Sequence, residues 1–251
     1  KITDTEDANT YDQSDAFFKI IIAHEDTVKI CDQVWATRNL DVSTYRNGDP
    51  ITHAETAQEW QDAADNEEGA WCYYDNDPAN GEIYGKLYNR FAVNDPRGLA
   101  PDGWHVPSDD EWKELEICLG MSKEQVDSSD CYRGNDEGSK MAGYEELWLN
   151  GYLDENNNFG SSGLFITPSG IRNSVYEFNA LGRITGIWTS LEYNKPESWI
   201  RVIYYDSITV SKDMSFKEYG LSVRLIKGEA EPQKSLNLTY PDGGETFEFN
   251  E

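Results

Sequence analysis

A helical pattern of apolar and polar positions occupies residues 109–119 and is the most regular in the chain. Ser108 precedes it and Glu111 follows three residues later, which is the spacing of a capping box that starts a helix. Gly120 comes directly after the last apolar position and suits a helix end. The predicted buried stripe consists of Trp112, Leu115, Cys118 and Leu119. The positions predicted to face away from it are Lys113, Glu114 and Glu116.

A second capping box predicts another helix earlier in the chain. Thr52 is followed three residues later by Glu55, and apolar positions then recur at Ala57, Trp60 and Ala64. This pattern predicts a helix over residues 53–65.

Short alternating runs predict strands at both ends of the chain. Thr27–Ile30 and Gln33–Thr37 flank a two-residue turn at Cys31–Asp32 and predict a hairpin. The most apolar short run, Phe17–Ala23, predicts a strand that pairs with the domain's own sheet or with a partner. The later predicted strands are Phe165–Thr167, Gly186–Tyr193, Ser198–Tyr205, Ile208–Ser211 and Gly220–Lys227. In the last of these, Leu221, Val223 and Leu225 share one face, which predicts a half-buried strand.

Gly103–Trp112 (GWHVPSDDEW) resembles the signature of the Fibrobacter succinogenes major paralogous domain, a module of secreted and surface proteins in Bacteroidetes-type bacteria. The resemblance covers about residues 28–228 and leaves an N-terminal extension over 1–27 with one β segment. Residues 229–251 are interpreted as a linker and the start of a possible further β module. Further segments similar to the family are Val28–Leu40, Trp71–Pro78, Tyr84–Val93, Arg133–Lys140, Gly170–Asn173, Trp188–Tyr193 and Tyr219–Lys227.

The resemblance also implies a fold. Pro107–Trp112 and Gly220–Arg224 are similar to the formylglycine-generating-enzyme group of C-type-lectin-like proteins. The expected fold class is therefore α+β, with two short helices flanking a mixed, mostly antiparallel twisted sheet. In that fold, the strand at Gly220–Lys227 closes the sheet against the N-terminal hairpin.

Composition narrows the choice of partners. The net charge of −26 argues against nucleic acid and anionic membranes, because both would repel so acidic a chain. No apolar run approaches the length that spans a bilayer, so membrane insertion within this chain is not expected. The family resemblance implies an extracellular or outer-membrane location.

The cysteines and the acidic loops leave alternatives open. Cys118 has Cys131 as its nearest partner for a disulfide, but its place on the apolar stripe suits a buried free thiol equally well. The four cysteines show no C-x-x-C spacing, so we expect no zinc site. The oxygen-rich loops Asp75–Asn80 and Asp154–Gly160 make calcium a possible ligand, although Asx-rich turns form such sequences without metal.

The sequence offers little for catalysis. It contains neither a G-x-S-x-G motif nor a phosphate-binding glycine loop, and its three histidines are far apart. His105 is interpreted as structural and bonded to backbone. The formylglycine-generating oxidases need paired cysteines near the C-terminus, whereas Cys131 is the last cysteine here. We therefore expect no enzymatic activity and no cofactor.

The expected function is that of an extracellular module that binds a glycan or a protein through its loops, since loops on a rigid sheet carry recognition. The candidate contact residues are Asn194, Glu197, Tyr205 and Asp206, expected to form one face with Asp75–Asn80. Trp188 and Trp199 are predicted to belong to the core. The alternatives are a structural or tip subunit of a surface filament and a degenerate enzyme of the formylglycine-generating type.

Overall fold

A computed structural model describes residues 26–128 and 131–229. The predicted strand at Phe17–Ala23 and most of the 229–251 segment lie outside the described residues. The helices are α1 Ala57–Asp65, α2 Pro78–Tyr84, α3 Arg90–Val93, α4 Asp109–Leu119, α5 Lys123–Asp127 and α6 Glu137–Met141, with 3-10 turns at Tyr74–Asn76 and Glu145–Leu147. The strands are β1 Thr27–Ile30, β2 Gln33–Ala36, β3 Thr52–His53, β4 Ala70–Cys72, β5 Leu87–Tyr88, β6 Trp104–His105, β7 Ile171–Arg172, β8 Phe178–Asn179, β9 Ile184–Glu192, β10 Glu197–Tyr204, β11 Ser211–Phe216 and β12 Ile226–Lys227.

The described strands form small, mostly antiparallel sheets. The predicted N-terminal hairpin is present, and its second strand pairs with β12 in the order β1-β2-β12-β6. The expectation that the late strand closes against this hairpin is therefore confirmed. A second sheet has the order β11-β10-β9, and two smaller ones are β3-β4-β5 and β7-β8. Short helices with mostly antiparallel strands make the protein α+β, as expected.

Helix α4 forms where the sequence predicts it. Ser108 and Glu111 make the reciprocal capping box, and Gly120 ends the helix with a φ of 121°. The prediction that Glu116 faces away from the buried stripe is wrong, because its side chain is fully buried and accepts from two arginines, Arg133 and Arg201. A helix with only one buried face would leave Glu116 in water. In this domain, the segments that carry Arg133 and Arg201 also cover the side of α4 on which Glu116 lies.

Helix α1 begins four residues later than predicted. Its capping box is formed by Thr56 and Glu59, while Thr52 belongs to β3 and lies opposite Ala70 of the parallel strand β4. The sequence Thr52–Glu59 contains the capping pattern twice, and strand pairing decides which copy starts the helix.

Three predicted strands differ from the structure. Ile208–Ser211 is mostly a turn, in which Ser207 Oγ accepts from the amide of Thr209, and the strand runs later as β11. Phe165–Thr167 makes only an isolated bridge through Ile166. Of the predicted Gly220–Lys227 strand only β12 is regular. The segment before β12 is buried on both faces, whereas the prediction was a half-buried strand. Leu221, Val223 and Leu225 are buried, but so are the intervening Ser222 and Arg224.

The cysteine pairing also differs from both alternatives left open by the sequence. Cys118 at the end of α4 forms a disulfide with Cys31 in the β1–β2 turn, with a Cα–Cα distance of 6.4 Å. Cys131 is an exposed free thiol and Cys72 a buried one. The bridge joins the N-terminal hairpin to α4 across 87 positions.

Two large apolar clusters fill the domain. One lies beneath α4, where the rings of Trp35 and Trp112 are 4.9 Å apart. The other contains Trp188, which is fully buried as predicted. The same prediction is wrong for Trp199, which is half-buried near the exposed start of β10 and makes an edge contact with Tyr193.

Candidate functional site

The candidate site is an open groove with a volume of about 480 Å³ between two surface segments. One wall comes from the loop that follows the 3-10 turn at Glu145–Leu147, and the other from the turn that follows β10. A volume of this size falls in the range of small-molecule sites. The residues that line the groove are Tyr152, Glu155, Asn156, Asp206, Ser207 and Ile208.

Hydrogen bonds link the two walls, two of them through one buried residue. Ser139 of α6 is fully buried; its amide donates to the carbonyl of Ile208 at 3.1 Å, and its hydroxyl donates to the carbonyl of Leu153 at 2.8 Å. The amide of Leu153 also donates to the carbonyl of Tyr205 at 3.1 Å. The walls are therefore fixed relative to each other by hydrogen bonds on buried backbone.

Glycine allows the helix behind the groove to come this close. A Cβ atom on Gly138 would lie 2.1 Å from the carbonyl oxygen of Thr209, a distance that no side chain tolerates. The backbone of α6 therefore packs directly against the turn that carries Ser207 and Ile208.

The side-chain oxygens of the Asp154–Gly160 loop serve turns. Asp154 Oδ1 accepts from the amide of Gly151 at 2.7 Å, and Asn156 Oδ1 accepts from the amide of Asn158 at 2.8 Å. Asn158 Nδ2 in turn donates to Asp136 at 2.7 Å. These bonds shape the wall of the groove, which is the Asx-turn alternative to a calcium loop.

Asp136 anchors this wall electrostatically. Burial would raise the pKa of its carboxyl, but hydrogen bonds from Lys140 and Asn158 outweigh that effect and lower the pKa below its ordinary value. Lys140 Nζ lies 2.6 Å from Asp136 Oδ1, so the charge of this carboxylate is already compensated.

The groups that face the groove are free to bind a ligand. The Tyr152 side chain is 69% exposed, and Glu155 and Asp206 are exposed as well. Neither carboxylate has an ion-pair or hydrogen-bond partner within the part of the chain that the structure describes. A flat ring, two carboxylates and the Asn156 amide nitrogen can together pack on an apolar face and accept or donate several hydrogen bonds.

The structure separates the contact residues expected from the sequence. Asp206 lines the groove, whereas its neighbour Tyr205 is half-buried against the core. Asn194 and Glu197 lie in the β9–β10 turn at the other end of β10, roughly 23 Å away at about 3.3 Å per residue. There Asn194 Nδ2 donates to Glu197 Oε2 at 2.8 Å. The expectation of one face that joins all four residues is wrong.

The other expected loop serves local structure. Asp77 Oδ1 caps α2 by accepting from the amide of Ala79, and Asn80 Nδ2 donates to the carbonyl of Tyr74. Sequence reasoning missed Tyr152, which lines the groove. Its only signal was an aromatic residue next to a loop rich in Asp and Asn.

Among the described residues, no set of three or more His, Cys, Asp and Glu could hold a metal ion. His105 contacts a backbone carbonyl, that of Gly228, as expected, and its second ring nitrogen lies 2.7 Å from Glu111. His53 stacks on Trp71 with ring centroids 3.8 Å apart.

The chain belongs to the Fibrobacter succinogenes major domain family, whose model matches residues 28–227. This agrees with the resemblance carried by Gly103–Trp112. No curated protein and no solved structure matches the chain significantly. Within the described ranges, none of the helices is long and apolar enough to span a bilayer.

Proposed function

We propose that this protein is a non-catalytic module on the exterior of a bacterial cell that binds a glycan through the groove beside Asp206. The observation that carries the proposal is the exposed ring of Tyr152 next to two unpartnered carboxylates, Glu155 and Asp206. A sugar ring presents an apolar face that packs on an aromatic ring, while its hydroxyls bond to carboxylate and amide groups at the rim.

The openness of the groove favours a glycan chain over a small enclosed ligand. An oligosaccharide can enter from either side and leave its ends in water, and only the units over Tyr152 make close contact. A protein partner is the other ligand class expected from the sequence. It would need a larger buried area than these six lining residues provide.

The disulfide supports the proposed location. Disulfides persist in oxidising environments outside the cytosol, and Cys31 and Cys118 are joined across two separate elements of the fold. Together with membership of a family whose signature resembles secreted and surface modules, the bridge supports an extracellular or outer-membrane location.

We also propose that the fold is C-type-lectin-like. Two features support this proposal: the two longest described helices, α1 and α4, agree with the two helices that the resemblance implies, and β12 pairs with the N-terminal hairpin. A solved structure of a family member would test this by comparison of strand order.

A structural subunit of a surface filament is the second candidate. Strand β11 is at the edge of its sheet as described, and it exposes Met214 and Phe216. Edge strands with exposed apolar side chains can pair with another chain. Filaments or concentration-dependent oligomers of the purified protein in electron micrographs would favour this function over the first.

Glycan and protein arrays probed with the intact protein test the main proposal. We expect binding to glycans, lost in Tyr152→Ala and kept in Tyr193→Ala. Tyr193 is a suitable control because it is another exposed tyrosine, 44% accessible, at the far end of β10. Binding that survives Tyr152→Ala but disappears in Tyr193→Ala would place recognition at the β9–β10 turn instead.

A further inference from the structure

We propose that the open edge of strand β11 pairs with the same edge of a second copy of this chain, antiparallel about a two-fold axis at Met214. The product is a closed dimer in which two β9-β10-β11 sheets join. This inference goes beyond the proposed function, because glycan binding at the groove needs no second copy. It is carried by the direction of the β11 backbone and by the order of the side chains along the strand.

Strand β11 is the open edge of its sheet. On the other side of the sheet, β9 is covered by the chain at Ser222, whose amide donates to the carbonyl of Gly186 at 3.0 Å. Next to β11, Arg133 exchanges backbone hydrogen bonds with Val210, one residue before the strand begins. Among the described residues, β10 is the only strand that pairs with β11 itself.

The backbone of Met214 points away from β10. Thr189 Oγ1 donates to the carbonyl of Trp199 at 2.9 Å, so the backbone of Trp199 faces β9. Trp199 and Met214 lie directly opposite each other and therefore form a non-hydrogen-bonded pair, which leaves the amide and carbonyl of Met214 on the open side. That amide donates to the side chain of its neighbour Asp213 at 2.8 Å and not to β10.

The exposed side chains along this edge are apolar. Met214 is 38% and Phe216 43% exposed, although both are large apolar residues. One strand further in, the half-buried ring of Trp199 lies on the same face as Met214, and the exposed ring of Tyr193 makes an edge contact with it at 4.9 Å. Apolar surface along an open strand edge is what a second chain would cover.

The order of side chains in β11 fits a second β11. In an antiparallel pair centred on Met214, this residue lies opposite its own counterpart. Lys212 of each copy then lies opposite Phe216 of the other, and Asp213 lies opposite Ser215. No like charges meet in this register, whereas a pair centred on Asp213 would set two carboxylates opposite each other. The strand is therefore complementary to itself about Met214.

The local charge of the strand permits this contact in an acidic chain. The net charge is −26, but β11 contains one lysine and one aspartate, and Lys217 follows it. Repulsion between the other charges of two copies is screened over a Debye length of about 8 Å at physiological ionic strength. Added salt should therefore strengthen the dimer.

The contact is small and closes on itself. A pair of short strands buries less surface than a standard interface of about 1,600 Å², so the dimer should be weak and should exchange with the monomer. Because both copies use the same strand, the contact is complete at two copies. A filament, in contrast, needs two different contact surfaces on each subunit.

Sedimentation velocity over about a hundredfold range of protein concentration tests the inference. We expect a monomer that shifts to a dimer, and the shift should occur at lower concentration in high salt. Met214→Lys should abolish the dimer, because it sets two ammonium groups opposite each other. Ile83→Lys is the matched control and should keep the dimer, since Ile83 is an apolar residue of α2 that is 45% exposed. Circular dichroism checks that both variants are folded.

A cysteine at the proposed axis tests the register. In a Cys131→Ser background, which removes the exposed free thiol, Met214→Cys should form a disulfide-linked dimer with oxidised glutathione. Directly opposite Cα atoms lie within the distance that a disulfide spans. Phe216→Cys should not form this dimer, because its two copies would lie about 13 Å apart along the strands.

The outcomes that would overturn the inference are distinct from those expected. A monomer at every concentration would overturn it, as would a dimer that survives Met214→Lys or that salt dissociates. Species that keep growing beyond two copies would also overturn it and would favour the filament. Equal cross-linking of the Met214→Cys and Phe216→Cys variants would contradict the two-fold axis at Met214.

Discussion

Arg201 Nε lies 2.6 Å from Oε1 of Glu116, and both side chains are fully buried. Arg133 donates to both oxygens of the same carboxylate at 2.9 and 3.1 Å. Arg201 also donates to Asp109, which in turn accepts from Lys212. This network joins helix α4 to strands β10 and β11 and to the segment that leads into α6, so it organises the centre of the domain.

Removal of Glu116 should destabilise the domain strongly. Glu116→Ala leaves two buried guanidinium groups without their carboxylate, and breaking a buried pair on one side costs about 3–5 kcal/mol. Urea denaturation measures the change, with Glu114→Ala as a control, since Glu114 is exposed on the same helix. A midpoint equal to that of the control would mean that the network contributes little.

The start of helix α1 can be tested with two threonines. Thr56→Ala removes the hydroxyl that accepts from the amide of Glu59 and should lower the free energy of unfolding by about 1 kcal/mol. Thr52→Ala should change it by less than about 0.5 kcal/mol, because Thr52 is exposed and caps no helix. A larger loss of stability in Thr52→Ala than in Thr56→Ala would mean that the helix starts at the capping box of Thr52 and Glu55 instead.

The Cys31–Cys118 bridge should contribute about 2–5 kcal/mol, because it closes a long loop in the unfolded chain. Cys31→Ser should lose this stability, whereas Cys131→Ser, which changes an exposed free thiol, should not. Mass spectrometry of unreduced peptides checks the pairing directly. A peptide that links Cys118 to Cys131 would contradict it.

Stability should fall as the pH rises above 6.5, because of His105. Burial would lower the pKa of its imidazole, but hydrogen bonds to Glu111 and the Gly228 carbonyl outweigh that effect and raise the pKa above 6.5. The stabilisation is complete below pH 6.5 and is lost as the pH rises through the raised value. Both ring nitrogens face oxygen acceptors, so the doubly protonated ring fits the geometry.

The contribution of Glu111 to stability has the opposite dependence on pH. Burial would raise the pKa of its carboxyl, but bonds from His105 and Ser108 lower it below 4.5. Its contribution is therefore present above pH 4.5 and lost as the pH falls through the lowered value. Urea denaturation midpoints should therefore be highest between pH 4.5 and pH 6.5, where both contributions are present. His105→Gln should flatten the decline in stability above pH 6.5. An unchanged decline would mean that other groups cause it.

Local patterns predicted the elements whose causes lie close in sequence. Ser108, Glu111 and Gly120 define α4, and the alternation around Cys31–Asp32 defines the first hairpin. Glu116 escaped prediction because a charge on a helix face normally indicates solvent, and its two arginine partners come from distant segments.

The groove could not be predicted for a related reason. Its walls are about 50 residues apart in sequence, and Ser139, which links them, precedes both in the chain and carries no distinctive pattern. Asp206 is predicted from the sequence because turns after strands carry polar contact residues, and it lines the groove. Asn194 and Glu197 were grouped with it because the sequence does not reveal that the two turns lie at opposite ends of β10.

The most direct test of the central claim is hydrogen exchange of the intact protein with and without the strongest glycan from the array. If the groove is the recognition surface, peptides that contain residues 151–156 and 205–209 gain protection on binding, while the turn at 193–197 does not change. Protection confined to the 193–197 turn, with the groove peptides unchanged, would contradict the account.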